Sequence, residues 1–141
     1  MAPSFKLTVA APDRQLFQGT VTQINLPAVG GEMGVLAGHM PTIVGLAPGV
    51  VEIIDEPGKQ PHHYAVTGGF AEIRGDEVSV LVTAGEEADS LNEEAVLEAQ
   101  RRAVQLKATA KTEAEFIDAQ QLTEQSLAQL KTIQRRKKWR L

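Results

Sequence analysis

Glycine and proline stop abruptly at one point in this chain of 141 residues. All twelve glycines and all seven prolines lie before residue 86, and none follows. Both residues interrupt helices and mark tight turns, so the early part predicts short strands joined by turns, and the late part predicts uninterrupted helix. We therefore expect a β domain over residues 1–86 and an α-helical hairpin over residues 87–141.

Short runs in the β domain alternate apolar and polar residues. In FKLTV, Phe5, Leu7 and Val9 alternate with polar neighbours, as on a half-buried strand. FAEIR and EVSVLVT flank Gly75 and Asp76, which indicates a hairpin, with Val78, Val80 and Val82 on one face of the second strand. Further strands are predicted at VTQINL, TIVGL, GVVEIID and HHYAVT. Short strands at close spacing indicate a β-sandwich or barrel.

The late part predicts two helices, over residues 91–108 and 113–137, joined by a short polar turn. Small or apolar residues recur every three or four positions and predict a close antiparallel pair. These residues are Ala95, Ala99, Ala103, Leu106 and Ala110 on the first helix, and Ala119, Leu122, Ser126, Leu130 and Ile133 on the second.

Both predicted helices begin with a capping box, Ser90 with Glu93 and Thr112 with Glu115. Most of the hairpin surface is charged or amide-bearing, which argues against deep burial. Two helices held by alanine contacts are marginal in isolation, so the hairpin is expected to fold down, open or dock elsewhere. This behaviour is typical of a regulator rather than an enzyme.

The C-terminal tail is strongly basic although the net charge is −4. KTIQRRKKWRL holds six of the fourteen basic residues and no acid, while the rest of the chain carries all eighteen acids. This asymmetry indicates an acidic partner for the tail, although cations at a helix C-terminus also suit the helix dipole. A further alternative is nucleic-acid binding with Trp139 as a stacking platform, which the acidic body opposes.

Motifs for several kinds of chemistry are missing from the sequence. There is no cysteine, no phosphate-binding or dinucleotide fingerprint and no serine nucleophile elbow. His62 and His63 are neighbours on a predicted strand, so their side chains point to opposite faces and cannot share one metal. We expect no catalytic residue, metal or cofactor. The start, MAPSFKLTVAAP, lacks a signal-like segment, which predicts a cytoplasmic location.

An ordered set of motifs, LPAVGGEMGVLAGHMP, LAPGVVEI and YAVTGGFAEI, resembles the epsilon subunit of F-type ATP synthase, whose mitochondrial counterpart is called delta. The resemblance covers residues 5–86 closely and the remainder by architecture. The matching residues are Leu26, Pro27, Gly31, Glu32, Gly34, Val35, Leu36, His39, Pro41, Pro48, Gly49, Gly68, Gly69 and Phe70.

The resemblance implies a ten-stranded β-sandwich followed by an antiparallel two-helix hairpin, in a non-catalytic subunit at the foot of the rotor's central stalk. Its partners would be the gamma subunit and the ring of c subunits. A loop of residues 30–41 would be the contact surface, through Gly31, Glu32, Gly34, His39 and Pro41, with Glu32 facing the c ring and His39 near gamma. The alternatives are a solvated turn carboxylate for Glu32 and a locally satisfied imidazole for His39.

The hairpin in bacterial relatives lies beside the sandwich or extends into the catalytic head, where it blocks rotation in the hydrolytic direction. The resemblance then implies that Arg135, Arg136, Lys137 and Lys138 meet the acidic region of the catalytic beta subunits. It also implies contact with the catalytic alpha/beta head, no nucleic acid, and a peripheral position on the cytoplasmic face of a bacterial inner membrane. The alternative is a stand-alone protein-binding module.

Some relatives bind a regulatory ATP through an aspartate and an Arg-Ala pair at the start of the first helix. Here Asn92 replaces the aspartate, and Ala95 and Val96 replace the pair. Without a cation at this point the strongest contact to phosphate is lost, although Arg101 and Arg102 lie further along. We predict weak or absent ATP binding.

Overall fold

Ten β-strands precede two long α-helices in the computed structural model, which describes residues 3–140, with side chains up to residue 139. The strands are β1 (Phe5–Ala11), β2 (Arg14–Val21), β3 (Gln23–Ala28), β4 (Gly31–Leu36), β5 (Thr42–Leu46), β6 (Gly49–Ile54), β7 (His62–Val66), β8 (Gly69–Arg74), β9 (Glu77–Val82) and β10 (Gly85–Glu87). After them come a one-turn 3₁₀ helix (Ala88–Ser90), α1 (Glu93–Thr109) and α2 (Glu113–Arg140).

The strands form a ten-stranded, nearly closed sandwich, as the resemblance implied. One layer, sheet I, has the order β10-β7-β6-β3-β4, and the other, sheet II, has the order β5-β8-β9-β1-β2. The layers join where Ala28 of β3 pairs with Leu46 of β5. At the opposite edge Arg14 Nη2 donates to the Gly85 carbonyl at 2.7 Å. All pairs are antiparallel except β1 with β9.

Alternating apolar residues from both layers fill the interior. Leu7 and Val9 of β1, Ile24 of β3, Ile53 of β6 and Val80 of β9 are almost completely shielded from solvent. Each such side chain contributes roughly 1.5–3 kcal/mol relative to an exposed one. The inward positions predicted on β1 and β9 are confirmed.

Two strand predictions were wrong. VTQINL was predicted as one strand, but β2 ends at Val21 and β3 begins at Gln23. Buried and exposed residues do not alternate regularly along β2, so the two-residue period of a half-buried strand is absent there. GGEMGVL was treated as part of a loop, yet Gly31–Leu36 is strand β4, paired along its length with β3. Glycine is depleted in strands, so its presence concealed a strand whose pairing is set by its neighbour.

The capping box predicted at Ser90 was also wrong. The Ser90 hydroxyl donates to the Glu87 carbonyl at 2.7 Å, within the 3₁₀ helix. Asn92 caps α1 instead, because its side-chain oxygen accepts from the Ala95 N–H at 3.0 Å. At Thr112 the predicted cap is present, since its hydroxyl oxygen accepts from the Glu115 N–H at 3.1 Å, but the Glu115 carboxylate accepts from the Lys111 N–H rather than from that of Thr112.

Replacing Asn92 with alanine is expected to destabilise the hairpin by about 1 kcal/mol, because the cap of α1 is lost. Ser90→Ala is the control, and we expect it to cost less than about 0.5 kcal/mol, since its bond is exposed and lies outside α1. Thermal unfolding followed by circular dichroism at 222 nm (the helix band) compares the two variants. Equal loss in both would contradict the assignment of the cap.

The predicted seam of α1 is confirmed at Ala103 but not at its start, where Val96 is buried and the neighbouring Ala95 is exposed. Ala99 and Leu106 are exposed, although they line a cavity with Leu122 of α2. Apolar residues occupy two adjacent stripes of α1, and the spacing alone does not decide which of them is buried.

The second half of α2 packs on the outer face of sheet I, across β6 and β7. Ala128, Thr132 and Ile133 are buried there, and Ala119 and Ser126 are buried nearer the hairpin turn. The expectation that the hairpin avoids deep burial was therefore wrong for this part of α2. Small and β-branched side chains let the helix lie close to the sheet.

Candidate partner-binding site

The predicted contact residues lie at both ends of β4 rather than in one loop. Gly31 and Glu32 begin the strand, Gly34 is within it, and His39 and Pro41 follow its far end. At about 3.3 Å per residue, the two ends are separated by roughly 17 Å. Gly31 has φ of 131°, which other residues rarely adopt. One partner surface for all five residues would have to span that distance.

His39 has a local hydrogen-bond partner. Its Nδ1 lies 2.8 Å from the Met40 carbonyl oxygen, so Nδ1–H donates to that oxygen. The locally satisfied imidazole considered from the sequence is thus present. The other ring nitrogen is left to solvent or to a partner.

Glu32 forms an ion pair with Arg135 of α2. The two guanidinium nitrogens donate to the two carboxylate oxygens at 3.2 and 3.0 Å. This hydrogen bonding lowers the pKa of Glu32 and raises the pKa of Arg135. Both side chains remain partly exposed, so the pair contributes at most about 1 kcal/mol. The structure joins two residues that were assigned to different partners.

Two further tail cations bind acids of the same chain. Arg136 donates to both oxygens of Asp89 at 3.1 and 2.8 Å, and to the Pro61 carbonyl at 2.7 Å. Lys137 donates to Glu93, the first residue of α1. We name Arg135, Arg136 and Lys137 the basic clasp. It connects the end of α2 to β4, to the 3₁₀ helix and to the start of α1.

Sequence reasoning missed a buried polar group beneath α2, which we name the His63 cluster (His63, Glu52 and Asn25). His63 Nε2 donates to Glu52 at 2.7 Å, and Asn25 donates to the other Glu52 oxygen at 2.8 Å. Burial lowers the pKa of His63, Glu52 opposes this shift, and the charges of Arg136 and Arg135 reinforce it. The His63 residue is only 1% exposed to solvent.

The two adjacent histidines do point to opposite faces, as predicted. His62 bonds Asp55 at 2.8 Å and its ring packs against Phe17. His63 and Glu52 are directly opposite on β7 and β6. Strand alternation could have placed both on the outer face of sheet I, but nothing local in the sequence shows that α2 covers them.

The residues at the position of the relatives' ATP motif are part of a helix cap. Asn92 and Ala95 are bonded to each other at the first turn of α1, and Ala95 is exposed. The amide of Asn92 is neutral and supplies no cation for phosphate. Weak or absent ATP binding stays a prediction.

The outer face of sheet II carries exposed apolar side chains. Val29, Ile43, Phe70 and Leu81 are 74%, 75%, 47% and 46% exposed. Phe70 lies opposite Leu81 on the neighbouring strand. We name these four residues the outer apolar patch. Contiguous apolar surface on one face indicates a site for another protein.

Other kinds of site are missing from the described part of the chain. Between residues 3 and 140, no group of three or more His, Cys, Asp or Glu side chains is arranged to hold a metal. None of the helices in the same range is long and apolar enough to cross a membrane.

Comparison with known proteins agrees with these features. The family described as ATP synthase, Delta/Epsilon chain, beta-sandwich domain matches residues 4–88. The ATP synthase epsilon chain of Chromohalobacter salexigens is 34% identical, over 93% of this chain and 92% of the relative. The mitochondrial ATP synthase subunit delta of Yarrowia lipolytica is 40% identical, over 79% and 72%.

A solved structure is similar in fold as well as sequence. A chain in the Euglena gracilis mitochondrial ATP synthase, determined as the OSCP/F1/c-ring assembly in rotational state 1, superposes with a TM-score of 0.77. The identity is 31%, and the alignment covers 88% of this chain and 78% of the other.

The family match and the relatives together identify the class of this chain as a non-catalytic subunit of ATP synthase. The family match extends over more than half of the chain, and the identities hold over most of the length of the relatives. The chain belongs to the ATP synthase delta/epsilon family.

Proposed function

We propose that this protein is the epsilon subunit of the central stalk of a proton-translocating F-type ATP synthase, where it couples gamma to the c ring. The observation that carries the proposal is the difference between its two outer faces. Sheet I is covered by α2, while sheet II presents the outer apolar patch. In this proposal the subunit is peripheral, on the cytoplasmic face of the bacterial inner membrane.

Gamma is the proposed occupant of the outer apolar patch. A rotor subunit needs a firm connection to the shaft, and apolar burial provides it without precise charge matching. The similar Euglena chain was solved together with F1 and the c ring, which supports an assembly of this kind. The Glu32 end of β4 is then the proposed c-ring contact, through polar groups, and His39 lies near gamma.

Replacing Phe70 and Leu81 together by serine is expected to weaken binding to gamma by at least about thirtyfold, because apolar anchors dominate such interfaces. Folding stability should change by less than about 1 kcal/mol, since both side chains are half-exposed. Calorimetric titration of the gamma-containing head measures the affinity. Val104→Ser, an equally exposed apolar residue of α1, is the control. Unchanged affinity of the double variant would remove the patch from the interface.

The hairpin is the proposed inhibitor of ATP hydrolysis. On release from sheet I, the basic clasp would exchange the chain's own acids for the acidic region of the catalytic beta subunits, and Lys138 would meet the same region. Charge-assisted pairs that become partly desolvated there would outweigh exposed ones. The same residues would then stabilise both positions of the hairpin.

The test of this function is ATP hydrolysis by the catalytic head lacking this subunit, titrated with the full chain and with a version ending at Ala88. Inhibition by the full chain alone would support an inhibitory hairpin and a docking sandwich. Co-elution of both without inhibition would leave only the coupling role. If neither version binds the head, the central-stalk proposal fails.

ATP itself is expected to bind weakly or not at all. The α1 start offers a neutral amide and an exposed alanine where relatives use an acid and an arginine. Isothermal titration with ATP should give no saturable heat in the micromolar range. The variant Ala95→Arg, which restores one cation, is the comparison, and micromolar binding by the unmodified chain would contradict the prediction.

A further inference from the structure

The outer face of sheet I holds a buried histidine with an unused ring nitrogen. His63 lies beneath α2, and its Nε2–H donates to Glu52. Its Nδ1 has no hydrogen-bond partner among the described residues. In the neutral ring Nδ1 is only an acceptor, which is the less costly group to leave unpaired. In the protonated ring it would be a buried N–H donor without an acceptor.

Charged groups approach His63 from two elements. Glu52 on β6 favours a proton on the ring, whereas Arg135 and Arg136 on α2 oppose it. Asn25 on β3 is a neutral amide and is occupied by Glu52. From the 3₁₀ helix, Asp89 is bonded to Arg136 and holds that guanidinium in place. The arginines are present only while α2 lies on the sheet.

We propose that His63 is a pH-sensitive switch beneath the hairpin, and that a proton on its ring favours the lifting of α2 from sheet I. The proposal rests on the mobile hairpin of the proposed function. Lifting exposes the ring to water, gives Nδ1–H a solvent acceptor and removes both arginines. Glu52 stays opposite His63 in the sheet and stabilises the imidazolium.

The sign of the pH effect follows from the two positions of α2. With α2 docked, burial holds the pKa of His63 below its ordinary value of about 6.5. With α2 lifted, burial and the arginines are gone, so the pKa rises to that value or above. Docking is therefore fully favoured above the lifted pKa and weakens as pH falls through it. Arg135 lowers the pKa of Glu32, so that ion pair persists in this range.

Distances between spin labels measure the position of the hairpin. The chain has no cysteine, so Glu77→Cys on sheet II and Gln134→Cys on α2, both exposed, give a unique label pair. Between about pH 7.5 and 5.5 we expect the lifted population to rise threefold or more. Each unit of difference between the docked and lifted pKa of His63 can change the docking equilibrium by about tenfold. His63→Gln should abolish the rise, and His39→Gln and His62→Gln should retain it.

Ring titration by NMR in the unlabelled full chain provides the second measurement, and His63 should titrate below the ordinary histidine pKa of about 6.5. If α2 of the His63→Gln variant does not dock at any pH, the NMR titration of the unmodified chain still tests the switch. A His63 ring that titrates at the ordinary histidine value would overturn it. The variant Arg136→Ala distinguishes the pH switch at His63 from the mobile hairpin of the proposed function. If that variant lifts α2 but acid does not lift it in the unmodified chain, the switch fails and the mobile hairpin stands. If nothing lifts α2, both fail.

Discussion

Gly69→Ala is expected to destabilise the β-sandwich by about 3 kcal/mol or more, enough to leave much of the chain unfolded. Gly69 begins β8 with φ of 144°. A Cβ at this position would lie 2.0 Å from the Leu81 carbonyl oxygen and 2.8 Å from Val82 Cα. The backbone has little room to adjust, because Gly69 is paired with Leu46 on one side and Val82 on the other. The overlap must therefore disrupt sheet II.

Denaturant unfolding of the full chain measures this effect. Gly30→Ala is the matched control, since an added Cβ there meets no atom within 4 Å and its φ is not positive. We expect that control to stay within about 0.5 kcal/mol of the unmodified chain. A Gly69→Ala protein that unfolds within about 1 kcal/mol of the original would show that β8 and β9 can separate easily.

Arg136→Ala is expected to shift docking of the hairpin by about 2 kcal/mol, which is roughly thirtyfold toward the lifted position. The Arg136 side chain is 17% exposed and makes three hydrogen bonds, two of them to a carboxylate. Truncation also leaves Asp89 and the Pro61 carbonyl without this donor. The partial exposure of Asp89 reduces the effect below that of a fully buried pair.

Hydrogen exchange along α2 reports this shift, because a hairpin without its sheet contacts is marginal and its amides open more often. Lys138→Ala removes the same charge two residues further along α2, and Lys138 has no ion-pair partner among residues 3–139. We expect exchange in α2 to accelerate for Arg136→Ala only. Equal exchange in both variants would mean that the clasp does not hold the hairpin down.

Much of the fold follows from local patterns in the sequence. The alternation in β1 and β9 and the loss of glycine and proline after Gly85 predicted the strands and helices that are observed. The seam of α1 was predicted correctly at Ala103 but not at Val96, because two adjacent stripes of the helix are apolar. Strand β4 was missed because its identity as a strand depends on pairing with β3, and its two glycines, Gly31 and Gly34, argue against a strand locally.

The candidate site was less predictable for a physical reason. Charge asymmetry predicted an acidic partner for the tail, whereas in the structure Arg135, Arg136 and Lys137 pair with acids of the same chain. Arg135 and Glu32 are 103 positions apart, and Arg136 and Asp89 are 47 apart. No local period relates such residues, since they meet only after α2 lies across sheet I. The His63 cluster depends on the same packing and was missed with it.

The parallel pairing of β1 with β9 has a consequence for synthesis of the chain. Closure of sheet II joins the first strand to the ninth, and the Arg14–Gly85 bond at the other edge spans 71 positions. At about 5–20 residues per second, the β1–β2 hairpin, complete at Val21, waits roughly 3–12 s for synthesis of β9, which ends at Val82. During that interval Phe5, Leu7 and Val9 have no layer to cover them. Chaperone demand should therefore be greatest before the helices are made.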